Sequence, residues 1–545
     1  MTLFSDPIQA TPAPARGRLI PRLIAGFLVV ALLVLAAGQL PLGLDPSGAP
    51  ATTADRNEVT ILGGDPVTLD PAVQGDLGSA QVTAQLFETL TAVDPSLHLQ
   101  PALASGWQAS PDGRTITFTM RPNLVFSDGT PLGPGDVVRS WLRLINPAHP
   151  SPLASLLDEI HGARAYLAGQ SSDPASVGLK VAGDSVVVTF DQPAGDFPAL
   201  ISGPSFGIVP PTIGNPASLA PGSFVGSGAY VLSARSTTAL TLVANPHYWA
   251  GPAAIGTVHL LTTLGGASPV EAFEAGTVDY TGIDDSDASW LRYDPTLGPQ
   301  LRSVPSLSVT YYGFDVRQKP FDDVRVRRAF AQAVDWTRIV DLANSGSLAP
   351  ATSIVPPGIP GRSATDFLPA YDPAGARAEL AAAGYPGGAG LPPVSLISTD
   401  TGFDAAILAD LKANLGVTVQ YESMGFNDYF ERLASDPPAF WTLSWVADYP
   451  GANDFLGLLL GTGSSNNYGH WSSPDFDAAI ARATAATDPL AASAAFDAAQ
   501  AIVQSDVPVI PVAYGTGSAL ARTGLLGASD NGLGILRFAG LAWAP

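Results

Sequence analysis

From Val304 to Tyr514 the chain alternates apolar strand segments with capped helices, and an α/β lobe is the architecture that accommodates this order. Val304–Phe314 reads as a long apolar strand containing Tyr311 and Tyr312. Pro320-Phe-Asp-Asp323 then opens a helix with Val326, Phe330 and Val334 on one face, Asp322 as its N-cap and Asp323 in the first turn. Asp372-Pro373 starts the next helix with proline at its first position, and Gly384 ends it. Val394–Ser398 and Val417–Tyr421 read as strands flanking a helix over 405–415. Ser473-Pro474 starts another helix, and Val507–Tyr514 reads as a late apolar strand.

Inside this alternation, Phe440-Trp-Thr-Leu-Ser-Trp-Val446 has the aromatic and β-branched content of a buried strand. It leads to Asp448, between Trp445 and Tyr449, before Pro450-Gly451 turns the chain. A carboxylate among large rings is costly to bury unless a cation or hydrogen-bond donors meet it. Either the protein or a ligand supplies that partner. An acid before Tyr-Pro-Gly is also a common turn former, so the residues alone leave both readings open.

The first half is richer in strands. Glu58–Leu62 reads as a strand, and Ser79 as the cap of a helix with Val82, Leu86 and Leu90 on one face. Thr115–Met120 alternates as a strand should, with turns at Pro111-Asp112-Gly113 and Ser127-Asp-Gly-Thr130. Gly135-Asp136 opens a helix through Val137, Trp141 and Leu144, while Ser185–Phe190 and Leu240–Ala244 read as further strands. No internal repeat recurs at a fixed period.

A formal charge of −22 with Lys180, Lys319 and Lys412 as the only lysines argues against a nucleic-acid partner, whose phosphates need neutralising. There is no cysteine, which excludes disulfides, thiolate metal sites, cysteine nucleophiles and lipid attachment at an N-terminal cysteine. Near the N-terminus, Leu23–Leu40 is uncharged and follows Arg16, Arg18 and Arg22. As a helix it spans roughly 27 Å, close to the hydrocarbon thickness of a membrane. The basic flank predicts residues 1–22 in the cytoplasm and the body outside, beyond a Pro/Ala/Thr-rich linker at 41–55. A cleaved signal peptide is the alternative, with Ala36-Ala37-Gly38 as its small-residue site.

Catalytic motifs are sparse. Gly203-Pro-Ser205-Phe-Gly207 fits G-x-S-x-G, but Ile208-Val-Pro-Pro211 follows where a nucleophile elbow needs a helix. The histidines, His98, His149, His161, His247, His259 and His470, show no metal-ligand spacing, and no phosphate-binding loop is present. Asp284-Asp-Ser-Asp287 lacks the glycine and distal glutamate of a calcium loop and reads as a helix start. Arg325, Arg327 and Arg328 avoid the apolar face of their helix and read as an exposed charged surface. These features predict a non-enzyme with no metal and no cofactor.

Several motifs, taken in order, resemble one family. They include Leu69-Asp-Pro71, Gln85-Leu-Phe-Glu-Thr-Leu90, Pro101-Ala-Leu-Ala-Ser-Gly-Trp107 and Phe126-Ser-Asp-Gly-Thr-Pro131. Asp136, Ser140-Trp141, Gly226-Ser-Gly-Ala-Tyr230 and Asn245-Pro-His-Tyr-Trp249 follow. The most specific are Lys319-Pro-Phe-Asp-Asp-Val-Arg-Val-Arg-Arg328, Ala447-Asp-Tyr449 and Ile510-Pro-Val-Ala-Tyr514. From about Val59 onward the chain resembles the extracytoplasmic solute-binding proteins of peptide ABC importers, the oligopeptide/dipeptide-binding class.

The resemblance implies a two-lobed periplasmic-binding-protein-like α/β fold with an extra inserted domain, in addition to the N-terminal anchor or signal helix at 23–40. The first lobe would combine 56–87, 212–308 and 515–545, the inserted domain would be 88–211, and the second lobe 309–514. It further implies a monomer that captures a peptide, or another amine-bearing small molecule, in the interlobe cleft and docks on an ABC permease. A peptide sensor or chaperone that feeds no permease is the rival within the class. Asp448 would accept the ligand's ammonium and Trp445 would line the pocket, while backbone near Ser444 and Leu77 would bond the peptide chain as an added strand. The family's arginine for the far carboxylate is replaced by Thr442, and a loop glutamate by Gly75, with Asp76 beside it. Aromatic wall positions become Leu153, Leu307 and Gly515, with Tyr312 and Tyr514 as nearby rings. The amine end is thus kept and the carboxylate end is not.

Overall fold

The alternating apolar segments converge on one 11-stranded mixed sheet, seen in a computed structural model of the chain. The structure describes residues 56–214, 220–221, 224–343, 348–365, 370–399, 401–464, 466–486, 488–530 and 532–545. The apolar run at 23–40 and the linker at 41–55 lie outside them. Among the described residues no helix is long and apolar enough to cross a membrane.

In chain order the strands are β1 (Glu58–Leu62), β2 (Thr91–Val93), β3 (Leu99–Pro101), β4 (Ala104–Ala109), β5 (Thr115–Met120), β6 (Leu179–Ala182) and β7 (Ser185–Thr189). They continue with β8 (Tyr230–Arg235), β9 (Ala239–Ala244), β10 (Thr257–Leu261), β11 (Tyr280–Ile283), β12 (Leu301–Phe314) and β13 (Leu348–Pro350). The last are β14 (Val394–Ser398), β15 (Val419–Ser423), β16 (Phe440–Val446), β17 (Val509–Ala521), β18 (Leu525–Leu526) and β19 (Ala542–Trp543). The large sheet runs β15-β14-β16-β12-β17-β11-β1-β10-β9-β8, with β13 also on β17.

Two lobes share this sheet. In one, β1 lies parallel between β10 and β11, and in the other β14 lies parallel between β15 and β16. The antiparallel pair β12–β17 joins them, with 14 and 13 residues respectively. At about 3.3 Å per residue each strand extends roughly 45 Å. Leu301–Pro305 pairs with 516–520 and Val309–Gly313 with 509–514, and the register breaks between Pro305 and Val309.

The second lobe's strands are covered on both faces, which explains why Phe440–Val446 is apolar almost throughout. Trp441, Leu443, Val309 and Tyr311 pack on one face, while Phe440, Tyr312 and Phe314 pack on the other. Gly313 lies beneath the Trp441 ring, where a Cβ would meet ring atoms at 2.2–2.6 Å. That indole is 2% exposed and packs edge-on against Tyr311 at 5.7 Å, so it has no room to move. Gly313→Ala is expected to cost about 1–3 kcal/mol as an overpacked core, read as a lower denaturation midpoint.

A separate antiparallel sheet, β4-β5-β7-β6, has its own core around Phe118, Val186, Val188 and Trp141. The helix Pro134–Leu144 supplies Val137, Trp141 and Leu144 to it, and Trp141 meets Phe197 and Phe206 edge-on at 5.7 and 5.8 Å. The same helix carries Arg143, whose guanidinium grips both carboxylate oxygens of Asp70 at 2.9 and 2.6 Å. Both side chains are buried, so this bidentate pair ties the loop after β1 to the smaller sheet.

Three local expectations are corrected. Asp76, not Ser79, caps the helix Leu77–Leu86, because Ser79 donates both its N–H and its hydroxyl to the Asp76 carboxylate at 2.8 and 2.6 Å. Asp323, not Asp322, caps the helix Val324–Gln332 through the N–H of Arg325 at 2.9 Å. Arg327 is buried rather than on a solvated face. It donates to the carbonyls of Phe321, Asp506 and Val507, and so serves the C-terminal end of the helix Pro489–Asp506.

Candidate functional site

Where β16 ends, the chain enters a cleft of about 300 Å³. One wall is the loop and helix start at Gln74, Gly75, Asp76 and Leu77, continued one and two turns on by Ala80 and Ala84. Val93, Leu153, Leu156, Leu200 and the stretch from Ser202 to Phe206 form a second wall. Val446–Tyr449 forms a third, and Leu533, Ile535 and Arg537 a fourth. The lining is mainly apolar, with few groups able to fix a ligand's orientation.

Its acids differ in how they are used. The Asp76 carboxylate is occupied by Ser79 at the helix N-terminus. Among the described residues Asp448 has no such cluster of donors, and burial pushes its carboxyl up to about 6. Behind it Asp454 is fully buried, with Oδ2 accepting from the Trp445 indole N–H at 3.0 Å and the Asp448 N–H at 3.2 Å. Its Oδ1 has no hydrogen-bond partner among the described residues. Burial and the neighbouring Asp448 hold Asp454 well above the usual carboxylate range.

A fourth acid stands behind the cleft residue Tyr449. Asp196, following β7, accepts from the Tyr449 hydroxyl at 2.7 Å and the Asn453 amide at 3.0 Å, and burial raises its pKa. Beside it the Gly195 N–H donates to the Thr484 carbonyl at 2.6 Å. The smaller sheet and the second lobe therefore touch next to the cleft.

Of the residues expected from sequence, Asp448, Asp76, Leu77 and Leu153 line the cleft together. Five others do not line it. Thr442 is 2% exposed, donates to the Tyr311 carbonyl at 3.1 Å and has its own carbonyl bonded by Tyr429, so it is a core residue. Tyr312 is fully buried on the opposite face of the sheet from Tyr311, with its hydroxyl on Asp404. The Tyr514 hydroxyl braces a loop, accepting from the N–H of Ser353 at 2.9 Å and donating to the Ser353 carbonyl at 2.7 Å. Ser444 is exposed and pairs with Thr310 at 2.7 Å. Trp445 packs on the second-lobe core and acts on the site through Asp454.

The backbone of β16 offers a different resource. β14 pairs with it only at Phe440 and Trp441, so past Trp441 no described strand covers its outer edge. An extended chain could add there. Ser205 also lines the cleft, but it sits in the single 3-10 turn Pro204–Phe206, and its hydroxyl is bonded by the Gln74 amide. That arrangement supplies no general base to a serine nucleophile. Sequence reading missed Arg537, Asp454 and Asp196. The nearest local sign was Gln81 and Gln85, two amides one turn apart on the helix Leu77–Leu86.

Two lobes on one pair of long strands, with a mainly apolar cleft carrying a few polar groups, are the architecture of a solute-binding receptor. The chain belongs to the bacterial extracellular solute-binding proteins, family 5, whose model matches residues 98–467. Members of this family are binding receptors, not enzymes. The chain is 32% identical over 470 residues to the probable deoxycholate-binding periplasmic protein YgiS of Escherichia coli K12, covering 83% of this chain and 86% of that one. It is 29% identical to the periplasmic oligopeptide-binding protein OppA of Salmonella typhimurium, over 92% of this chain and 94% of the relative. Among solved structures it is similar to MppA, a periplasmic murein tripeptide binding protein in its unliganded open form. The TM-score is 0.77 and the identity 27%, over 90% of this chain and 98% of that one.

Proposed function

We propose that this chain captures a peptide with a free amino terminus in the cleft and delivers it to the permease of an ABC importer. The observation that carries this reading is Asp448, a largely buried carboxylate on the cleft wall whose burial no protein cation offsets among the described residues. An ammonium group is the partner it lacks, and charge-assisted hydrogen bonds to it are the strong kind. The uncovered edge of β16 beside Ser444, and backbone near Leu77, would bond the peptide main chain without reading its side chains.

In the same reading the lobes are 56–87 with 212–308 and 515–545, and 309–514, with 88–211 inserted. The break in β12 between Pro305 and Val309 supports a hinge at their junction. The apolar run at 23–40 would tether a monomeric receptor to the membrane or be removed on export. The peptide-binding relatives support the ligand class, while the relative named for deoxycholate makes an apolar anion the second reading. Mass spectrometry of small molecules released by denaturing the purified full-length chain tests this. Peptides with free amino termini are expected, and recovery of only amine-free ligands would overturn the reading.

A further inference from the structure

Arg537 is the one basic side chain among the described residues lining the cleft. Its backbone is clamped to the helix Leu77–Leu86 by two glutamines. Gln81 donates to the Leu536 carbonyl at 2.7 Å and accepts the Leu536 N–H at 2.8 Å. Gln85 accepts the Phe538 N–H at 2.9 Å and donates to the Leu536 carbonyl at 3.0 Å. Both flanking peptide groups are thus fixed, and the arginine between them is held against the cleft.

The guanidinium is only partly used. Nη1 donates to the Ala84 carbonyl at 2.8 Å. Nε and Nη2 make no hydrogen bond among the described residues. The nearest acid is Glu88, with Oε1 3.9 Å from Nη1, beyond hydrogen-bond length. Its carboxylate already accepts from the Thr89 N–H at 3.1 Å and from the Tyr248 hydroxyl. The arginine side chain is 30% exposed, so part of its fork remains accessible.

We propose that Arg537 receives the anionic group of the captured ligand. A guanidinium fork matches a carboxylate in two parallel hydrogen bonds, and a position fixed before binding lowers the cost of making them. Thr442 offers no alternative, being buried and engaged with Tyr311. Combined with Asp448, and resting for its amine half on the function proposed above, the cleft selects zwitterions with an apolar body. Its volume of about 300 Å³ favours short ones.

Isothermal titration of the full-length chain with di-, tri- and tetra-alanine, each as free acid and as C-terminal amide, tests this. The free acids are expected to bind at least about tenfold more tightly than the amides. In Arg537→Gln that ratio should fall to near one, and Arg537→Lys should keep part of it. Because acid and amide are compared within one variant, a general loss of folding cancels. An unchanged ratio in Arg537→Gln, or no preference in the parent chain, overturns the assignment. Sodium deoxycholate separates the two proposals. If it binds and weakens about tenfold in Arg537→Gln while no peptide binds, the anion role stands and the peptide reading falls. If no probe binds the parent chain, both fall.

Discussion

Asp448→Asn is expected to weaken capture of peptides with a free amino terminus by about ten- to a hundredfold, and to change binding of N-acetylated peptides little. The carboxylate is the strong acceptor for an ammonium, and the amide that replaces it keeps the shape and loses the charge. Isothermal titration of paired free and acetylated peptides reads the difference, and an equal loss for both would remove the ammonium role. The effect should also depend on pH. Burial pushes the Asp448 carboxyl up to about 6, so a proton competes with the ammonium below that value. Binding of the amine should strengthen as pH rises through about 6, with release of a proton near that pH. Titrations in buffers of different ionisation heat would show the release. In the ligand-free chain the sign is opposite: the folded state holds a proton that the unfolded chain gives up. This group's stabilisation is therefore fully present below the ordinary aspartate value of 3.8 and lost as pH rises through about 6.

The second large effect concerns the frame of the cleft. Arg143→Met should destabilise the chain by about 3–5 kcal/mol, because it leaves the buried Asp70 carboxylate without its bidentate partner. Asp70 also accepts the Ala72 N–H at 3.0 Å, and Arg143 also donates to the Gly214 carbonyl at 2.8 Å, so the pair anchors two loops. One of those loops leads directly to Asp76 and Leu77 on the cleft wall. Denaturant unfolding with an unchanged slope is the measurement, and a loss below about 1 kcal/mol would show that the pair is not structurally important. Adding Asp70→Leu should restore much of the stability, since an apolar pair avoids the buried charge altogether.

Local patterns placed the short strands of the first half well, whereas Val507–Tyr514 is only the start of the longer Val509–Ala521 and Val417–Tyr421 is shifted to Val419–Ser423. Glu58–Leu62 and Thr115–Met120 are bounded as alternation and turn residues dictate. Asp448 was legible because an acid at the end of an apolar strand demands an explanation from the sequence itself. The face each ring occupies was harder. Tyr311 and Tyr312 differ by one position on β12, and that step sends them to opposite cores. Caps were ambiguous where two acceptors stood close together, as Asp76 and Ser79 do, and the carboxylate prevailed over the hydroxyl. Arg327 escaped because the carbonyls it serves come from a helix end 179 residues away. Arg537 escaped for the same reason. Nothing in Leu536-Arg537-Phe538 announces a binding site, and the two glutamines that hold this segment lie 451–455 residues earlier.

That last separation bears on how the receptor is made. Residues 533–537 form a wall of the cleft, while the helix they dock on stands near the start of the described chain. The two parts are thus separated by 451–455 residues of chain and brought together only by the fold. The loop holding Asp76 and the strand leading to Asp448 both precede that wall in the chain. A chain lacking residues 533–537 would therefore lack one wall of the cleft and its basic side chain.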